Sequence, residues 1–381
     1  MHLGVLSMVK EIVARQTKGA VVEEIAIDGF DHVEFYVGNA LQACYYYHHG
    51  FGFDIVGFRG LETGNRDRVS YVLKQGSVNL VLTGALNAND EVAEHVHKHG
   101  DGVRTIGLKV RDVKKAYETA IKRGAKSFAA PASQEDEFGE MVTASVHTYG
   151  DTIHTFVHRQ NYKGNFAPGF KPIEQKDGGV GLVAIDHVVG NVEVERMEHL
   201  VDFYKQVFGF YVYQYFDAED ISTKYSALVS KVMANKTGTV KLPINEPAIG
   251  MRKSQIQEYL DYYLAPGVQH IAIATKDIIS TVAALHKRGI EFLTVPRSYY
   301  DALPERAGKI DEDIEELAKL GILVDRESEG YLLQIFTKPV EDRPTLFFEI
   351  IQRKGAHGFG KGNFKALFES IEREQANRGN L

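Results

Sequence analysis

Gly267-Val268-Gln269-His270-Ile271-Ala272-Ile273 decides the fold, because an earlier stretch, Gly102-Val103-Arg104-Thr105-Ile106-Gly107-Leu108, has a matching pattern. The two stretches look like copies of one strand, but only the later copy contains a histidine. A second pair, Ile27-Asp28-Gly29-Phe30-Asp31-His32-Val33 and Val183-Ala184-Ile185-Asp186-His187-Val188, repeats in the same way. A duplicated chain that keeps potential metal ligands in its later half predicts a working half and a supporting half.

The repeat continues along both halves. Phe51-Gly52-Phe53 matches Phe208-Gly209-Phe210, and Ser70-Tyr71-Val72-Leu73 is paired with Tyr225-Ser226-Ala227-Leu228. Each half has a strand, a helix and several strands, and then the pattern recurs. This order predicts an α+β fold whose sheets are mostly antiparallel and strongly curved.

Composition shifts predict the domain boundaries. Residues 1–20 are expected to form a loose or helical arm, and residues 21–160 a supporting domain without metal. Residues 161–181 are rich in glycine and proline and are interpreted as a linker. Residues 182–381 then form the metal-binding domain. It ends in a predicted amphipathic helix of about three turns, capped by Asn363, with an apolar face at Phe364, Leu367, Phe368 and Ile371.

The bulk properties exclude several classes of protein. The chain has 381 residues, a net charge of −7 and a single cysteine, Cys44. No basic excess favours nucleic acid or an anionic membrane, and no apolar run is long enough to span a bilayer. An intramolecular disulfide is impossible, which favours a cytoplasmic location. The pair His48-His49 follows an aromatic helix and is interpreted as structural or exposed.

His187, His270 and Glu349 are the candidate metal ligands. Each lies in a different strand-like apolar segment, and a carboxylate in a segment such as Leu346-Phe347-Phe348-Glu349-Ile350-Ile351 is costly unless it is paired or binds a cation. Two imidazoles and one carboxylate are typical of non-haem Fe(II) oxygenases. Zinc accepts the same ligands, so spacing alone leaves the metal open.

Longer motifs in the second half closely resemble the 4-hydroxyphenylpyruvate dioxygenase family of the vicinal-oxygen-chelate superfamily. They stand in the order and spacing of that family. The motifs are Ala184-Ile185-Asp186-His187-Val188-Val189-Gly190-Asn191-Val192, Pro243-Ile244-Asn245-Glu246-Pro247, Lys253-Ser254-Gln255-Ile256, Gly267-Val268-Gln269-His270, Gly330-Tyr331-Leu332-Leu333-Gln334-Ile335-Phe336-Thr337, Arg343-Pro344-Thr345-Leu346-Phe347-Phe348-Glu349-Ile350-Ile351 and Gly358-Phe359-Gly360-Lys361-Gly362-Asn363-Phe364.

The resemblance implies a two-domain fold in which each domain pairs two βαβββ modules, with a C-terminal lid helix. It implies that His187, His270 and Glu349 bind Fe(II). In the first half, Thr105 would lie opposite His270, Thr155 roughly opposite Glu349, and His32 would be a relic without partners. The implied substrate contacts are Ser226, Asn245, Gln255, Gln269, Gln334, Phe336, Phe347, Phe359, Asn363, Phe364, Leu367 and Phe368. Gln269 is adjacent to a proposed ligand, so in a regular strand its side chain would point to the opposite face.

The implied reaction converts 4-hydroxyphenylpyruvate and dioxygen to homogentisate and carbon dioxide in tyrosine and phenylalanine catabolism, and family members commonly form homo-oligomers. Three alternatives stay open. A hydroxymandelate synthase would use the same substrate and iron but hydroxylate the benzylic carbon. A non-catalytic protein would only enclose an aromatic ligand. A zinc-dependent lyase or hydrolase would need no oxygen.

Overall fold

The computed structural model describes residues 22–218, 223, 225–248 and 250–380. The predicted arm, residues 1–20, lies outside the described residues. Two curved sheets, one from each half of the chain, carry the helices on their faces. No helix in the described ranges is both long enough and apolar enough to cross a membrane.

The first half contains two strand–helix–three-strand modules. Its elements are β1 (Ile27–Tyr36), α1 (Ala40–Phe51), β2 (Asp54–Arg59), β3 (Arg68–Gln75), β4 (Val78–Ala85), α2 (Glu91–His99), β5 (Gly102–Val110), α3 (Val113–Lys122), β6 (Ser127–Asp136), β7 (Gly139–His147) and β8 (Ile153–His158). A short strand, β9 (Lys171–Gln175), follows them. Over the described residues the strand order is β6-β7-β8-β5-β1-β4-β3-β2-β9.

The second half repeats this plan. Its elements are β10 (Leu182–Asn191), α4 (Met197–Phe203), β11 (Tyr211–Phe216), β12 (Ala227–Ala234), β13 (Lys241–Ala248), α5 (Gln255–Tyr263), β14 (Gly267–Thr275), α6 (Ile278–Lys287), α7 (Arg297–Asp301), α8 (Leu303–Ala307), α9 (Ile314–Leu320), β15 (Leu323–Arg326), β16 (Tyr331–Phe336), β17 (Phe347–Lys354) and α10 (Phe364–Asn377). The strand order, again over the described part, is β11-β12-β13-β10-β14-β17-β16-β15.

Most neighbouring strands are antiparallel, and the parallel pairs occur where a module's first strand meets its last. These pairs are β1·β4, β5·β8, β10·β13 and β14·β17. The predicted α+β fold of paired βαβββ modules with mostly antiparallel sheets is therefore confirmed. The C-terminal helix is also present, and at 14 residues it is longer than the three turns predicted.

The segment predicted to be a linker contains β9, which pairs with β2 at the edge of the first sheet. The segment is also fixed by Gln75, whose side-chain oxygen accepts hydrogen bonds from the backbone N–H groups of Val180, Gly181 and Leu182. Sequence analysis missed this strand, because its five residues are mostly polar and exposed. The domain boundaries themselves stay a proposal.

The two halves share one hydrophobic core. Phe51 at the end of α1 packs against Phe348 of β17, with ring centroids 5.0 Å apart. In the reverse direction, Phe208 after α4 packs against Phe156 of β8 at 5.9 Å. All four side chains are fully buried. Each half therefore supplies a helix end that covers a strand of the other half.

Candidate metal centre and substrate pocket

His187, His270 and Glu349 come from three adjacent strands, β10, β14 and β17. In the strand register, Ala272 of the middle strand pairs with His187 on one side and with Glu349 on the other. His270 lies two residues before Ala272, on the same face of the sheet. The small side chain of Ala272 leaves room between the three larger ones. The repeat therefore brings all three predicted ligands to one place.

The donor atoms converge closely enough to share one ion. His187 Nε2 lies 3.2 Å from Glu349 Oε2, and His270 Nε2 lies 3.5 Å from the same oxygen. One ligand atom from each residue lies within 4.8 Å of the other two. All three residues are at most 9% exposed. A buried set of two imidazoles and a carboxylate fits a divalent transition metal.

Hydrogen bonds to the other ring nitrogens orient both histidines. His187 Nδ1 donates to Asp186 Oδ1 at 2.8 Å, and His270 Nδ1 donates to Gln269 Oε1 at 3.1 Å. Each bond keeps a proton on Nδ1 and leaves Nε2, the nitrogen that faces Glu349, as the atom that can bind a metal. Both imidazoles are thus held in the tautomer that a metal ligand requires.

Two β-bulges make these bonds possible. The register of β10 against β14 skips Asp186 on one strand and Gln269 on the other. A bulge places two consecutive side chains on nearly the same face, where a regular strand would alternate them. Gln269 was expected to point to the opposite face, and that expectation is wrong because residue 269 is the extra residue of a bulge.

Arg353 holds the carboxylate of Asp186, the same group that accepts the hydrogen bond from His187. Its Nε and Nη2 donate to the two oxygens of Asp186, both at 2.8 Å, and its Nη1 donates to the carbonyl oxygen of Gly358 at 2.6 Å. The Phe359 ring lies 4.9 Å from the His187 ring. We call Asp186, Arg353 and Phe359 the second-half clamp. It connects a candidate metal ligand to the loop that leads into α10.

The first half has the same clamp without the metal ligands. Arg159 makes the equivalent two contacts with Asp31, donates to the carbonyl oxygen of Phe166, and Asp31 lies 2.7 Å from His32 Nδ1. His32 thus has the same aspartate contact as His187, while Thr105 and Thr155 occupy the positions equivalent to the other two candidate ligands. We call Asp31, Arg159 and Phe166 the first-half clamp.

Thr105 and Thr155 occupy the positions of the first half that are equivalent to those of His270 and Glu349, as predicted from the repeat. Around Thr105 the corresponding space in the first half holds a hydrogen-bonded network. Glu34 accepts hydrogen bonds from Thr105 at 3.1 Å and from Thr83 at 2.7 Å. Hydroxyls thus replace an imidazole and a carboxylate, which agrees with a supporting role for this half.

The carboxylates of Glu349 and Asp186 are kept ionised by neighbouring cationic side chains. Burial alone would raise the pKa of Glu349, but His187 and His270, when protonated on Nε2 before a metal binds, donate to its carboxylate and lower the pKa below its usual value. Burial would likewise raise the pKa of Asp186, yet Arg353 and His187 hold that pKa well below its usual range. Both carboxylates are therefore ionised near neutral pH, as metal binding and imidazole orientation require.

A pocket opens directly above the three donors. Its walls are mainly aromatic and aliphatic, with a few amide and hydroxyl groups. The lining residues are His187, Val189, Phe216, Leu228, Ser230, Val232, Pro243, Asn245, Gln255, Gln269, His270, Gln334, Phe336, Phe347, Glu349, Phe359, Phe364, Leu367 and Phe368.

Two of the predicted substrate contacts lie elsewhere. Ser226 precedes β12, and its hydroxyl donates to Glu372 of α10 at 2.7 Å. Asn363 is fully buried beneath the start of α10, where its side-chain oxygen accepts a hydrogen bond from Tyr299. It also makes no side-chain cap bond to that helix. Both residues brace α10 and do not line the pocket, while every other predicted contact does.

Ser230 is the polar lining residue that sequence analysis missed. It pairs across the strands with Asn245, and its first-half counterpart Ser70 pairs with Thr83 in the same way. The match of Ser70-Tyr71 to Tyr225-Ser226 is therefore five residues too early in the second half. The alternation of Leu228, Ser230 and Val232 on one face of β12 was the available signal.

The comparisons agree with this geometry. The family model described as "Hydroxyphenylpyruvate dioxygenase, HPPD, N-terminal" matches residues 22–173, and "Glyoxalase/Bleomycin resistance protein/Dioxygenase superfamily" matches residues 184–334. The 4-hydroxyphenylpyruvate dioxygenase of Dictyostelium discoideum is 49% identical over 367 residues, covering 93% of this chain and 100% of the relative. That of Danio rerio is 46% identical, with 96% and 95% covered.

Solved structures give the same result. A mutant of 4-hydroxymandelate synthase from Streptomyces coelicolor has a TM-score of 0.83 at 32% identity, covering 92% of this chain and 99% of that one. A "xylose isomerase-like TIM barrel/4-hydroxyphenylpyruvate dioxygenase fusion protein" has a TM-score of 0.74 at 25% identity, covering 93% of this chain and 54% of that one. With relatives this similar over almost its whole length, the chain belongs to the 4-hydroxyphenylpyruvate dioxygenase family.

Proposed function

We propose that this protein converts 4-hydroxyphenylpyruvate and dioxygen to homogentisate and carbon dioxide. The observation that carries the proposal is the convergence of His187, His270 and Glu349 at the base of an aromatic pocket. The family to which the chain belongs supplies the substrate and the reaction. A substrate that contains its own 2-oxo acid needs no separate oxo acid as co-substrate.

We propose Fe(II) as the metal, held by His187 Nε2, His270 Nε2 and a carboxylate oxygen of Glu349. Three protein ligands on one side leave coordination positions for an oxo acid and for dioxygen. When bound, iron would supply the activation of dioxygen for oxidative decarboxylation and hydroxylation. The donor set supports a divalent metal of this kind, and the buried, ionised Glu349 supplies its negative charge.

The aromatic side chains around the donors would orient the substrate ring. Phe347 stacks on His270 at 4.7 Å, and Phe336 meets the same imidazole edge-on at 6.1 Å. Aromatic rings prefer offset or edge contacts, so a phenol ring between these walls has few orientations. We infer that Phe336 and Phe347 determine which carbon of the substrate faces the metal.

Polar groups of the pocket would bind the two polar ends of the substrate. The pair Ser230 and Asn245, with Gln255 and Gln269, supplies hydrogen-bonding groups for the phenol hydroxyl within an otherwise apolar wall. Gln334 pairs with Ile351, on the same face of β17 as Glu349, and its Oε1 is buried with no hydrogen-bond partner among the described residues. Such an atom is costly to leave unpaired, which suits contact with a polar ligand.

Helix α10 would close the pocket against water. Phe364, Leu367 and Phe368 line the pocket from this helix, and Glu372 ties it to Ser226. Gly360, in the loop before it, has a φ of +76°, and a Cβ there would lie 2.1 Å from Gln334 Oε1. We infer that this glycine lets the loop pass close to Gln334 while α10 covers the substrate.

Hydroxymandelate synthase activity is the second candidate, because a solved 4-hydroxymandelate synthase shares this fold at a TM-score of 0.83. The deciding experiment is anaerobic loading with Fe(II), followed by 4-hydroxyphenylpyruvate and oxygen, with the product identified by mass spectrometry and chromatography. Homogentisate supports the main proposal, and 4-hydroxymandelate supports the second.

The same experiment separates the remaining alternatives. A chain that binds no iron and consumes no oxygen with the oxo acid would be a binding protein, and activity restored by zinc without oxygen would indicate a lyase or hydrolase.

We also propose a homo-oligomer in the cytoplasm. The single cysteine, Cys44, is buried, which agrees with a reducing compartment.

A further inference from the structure

A second group of side chains that could bind a metal lies where the end of α1 meets the segment between the two halves. It is distant in sequence from β14, which carries His270. One donor atom each from His48, His49 and Asp177 lies within 4.8 Å of the others. The histidines are consecutive residues near the end of α1, and their rings are 4.6 Å apart. Asp177 follows β9 and its side chain is 10% exposed. The substrate pocket includes none of these residues.

His48 is oriented as a metal ligand would be. It is 3% exposed, and its Nδ1 donates to the carbonyl oxygen of Phe53 at 2.5 Å. This bond fixes the proton on Nδ1 and leaves the Nε2 lone pair available. That nitrogen accepts a hydrogen bond from the side-chain amide of Gln175 at 3.2 Å, and a metal ion would replace this contact with an exposed side chain.

Asp177 already has one charged partner, Arg288 at the C-terminal end of α6, with contacts of 2.7 and 3.0 Å. Each carboxylate oxygen has two lone pairs, so these contacts leave acceptor positions for a cation. Asp54 adds a second negative charge, because its carboxylate accepts a hydrogen bond from the Asp177 N–H at 2.7 Å. The guanidinium nevertheless opposes a dication, so we expect weaker binding than at a structural zinc site.

The internal repeat provides a comparison. Lys205 and Gln206 occupy the positions equivalent to His48 and His49, because Phe208-Gly209-Phe210 matches Phe51-Gly52-Phe53. The second half thus has no imidazole at this helix end. Two adjacent histidines are therefore not required by the fold of the helix end.

We propose that His48, His49 and Asp177 bind a divalent transition metal, with Zn²⁺ as the ion best suited to two imidazoles and one carboxylate. The ion would join the end of α1 to the segment after β9 and, through Arg288, to α6 of the second half. Its effect would be to stabilise the junction between the halves, independently of the catalytic iron.

The test uses the iron-loaded protein under anaerobic conditions. The protein is dialysed to equilibrium against a fixed concentration of free Zn²⁺, and the iron and zinc bound above the buffer level are counted by elemental analysis. We expect about one equivalent of zinc in addition to retained iron, and a higher Tm. We expect His49→Ala to weaken zinc affinity at least about tenfold, the loss that even an outer partner of a metal ligand commonly causes.

His97→Ala is the matched control, because His97 is also an exposed helical histidine but lies on α2. It should bind zinc as the unmodified protein does. His49 is exposed, so its replacement leaves the core intact, and iron content and turnover in His49→Ala report that the fold is preserved. Zinc that only displaces iron one for one, or equal zinc affinity in His49→Ala and the unmodified protein, would overturn the proposal.

Discussion

The carboxylate of Glu349 supplies the negative charge on which the proposed iron site depends. Both histidine Nε2 atoms lie within 3.5 Å of its Oε2, and they lower its pKa against the effect of burial. Glu349→Gln keeps the size of the side chain and removes the charge. We expect this variant to lose iron and carbon dioxide release together, measured by elemental analysis and by trapping the gas.

Thr155→Val is the control for that substitution, because Thr155 occupies the equivalent position of the first half. Its hydroxyl contacts Ser145 at 2.8 Å and no candidate ligand. Iron content and turnover should be unchanged in this variant. A Glu349→Gln protein that keeps a full complement of iron and turns over normally would refute the ligand assignment.

Ser230 and Ser226 are expected to have different roles, although they are four residues apart. Ser230 lines the pocket, whereas Ser226 donates to Glu372. If Ser230 binds the phenol hydroxyl, Ser230→Ala lowers kcat/KM for 4-hydroxyphenylpyruvate. The decrease corresponds to a loss of about 1–3 kcal/mol of transition-state stabilisation. Its kcat/KM for phenylpyruvate, which lacks the hydroxyl, should change much less.

Ser226→Ala gives the comparison. Loss of the bond to Glu372 loosens α10 for both substrates alike, so the ratio of the two kcat/KM values should stay as in the unmodified protein. The assignment of Ser230 is wrong if Ser230→Ala leaves this ratio unchanged.

Single residues could be predicted where chemistry and repeat agreed. His187, His270 and Glu349 were identified because polar side chains in apolar strands recur at related positions of the modules. Ser230 was not, because serine is common in strands and a five-residue error in aligning weak repeats carries no chemical signal.

At the level of elements, the two clamps allow a test of how a bulge positions a metal ligand. In each half, an arginine near the end of the last strand holds an aspartate of the first strand with two parallel hydrogen bonds. Lysine keeps the charge but cannot make both bonds. We expect Arg353→Lys to lower iron affinity about 10–100-fold, the usual effect of removing a partner that orients a ligand.

Arg159→Lys makes the same change in the first-half clamp, where no metal ligand is attached. It should reduce stability without altering iron affinity, measured by Fe(II) titration under anaerobic conditions. Equal iron affinities in the two variants would show that the clamp serves folding alone.

Elements were predictable to the extent that their residues alternate or repeat. The strands of the four modules and helix α10 follow from such patterns. The bulges at Asp186 and Gln269 do not, because a bulge depends on the register of two strands that lie far apart in sequence. Strand β9 was missed for a related reason, since it forms by pairing with the edge of β2.

For the whole molecule, the duplication predicted two similar halves but not how they pack together. The core extends across both, because Phe51 and Tyr47 of α1 contact Phe348 of the second half at 5.0 and 5.8 Å. Contacts between helix ends and strands of the opposite half depend on side-chain shape, which hydrophobic patterns do not encode. This packing places the first half behind the strand that carries Glu349.

Phe348 therefore links the support given by the first half to the metal site. It is fully buried and precedes Glu349 directly, with its ring on the opposite face of β17. We expect Phe348→Ala to lower the free energy of unfolding by about 3–5 kcal/mol, in one cooperative transition of both halves. Iron affinity should fall as well, because β17 loses the packing that fixes the position of its carboxylate.

Phe166→Ala is the matched control, since Phe166 is buried in a separate small cluster of the first half. Both variants lose a buried ring, so both should be less stable in chemical denaturation. Only Phe348→Ala should also bind Fe(II) more weakly when the titration is done under conditions where both proteins are folded. Equal iron affinity in the two variants would mean that the first half stabilises the chain without positioning Glu349, because the cavity behind β17 would then leave the donor geometry unchanged.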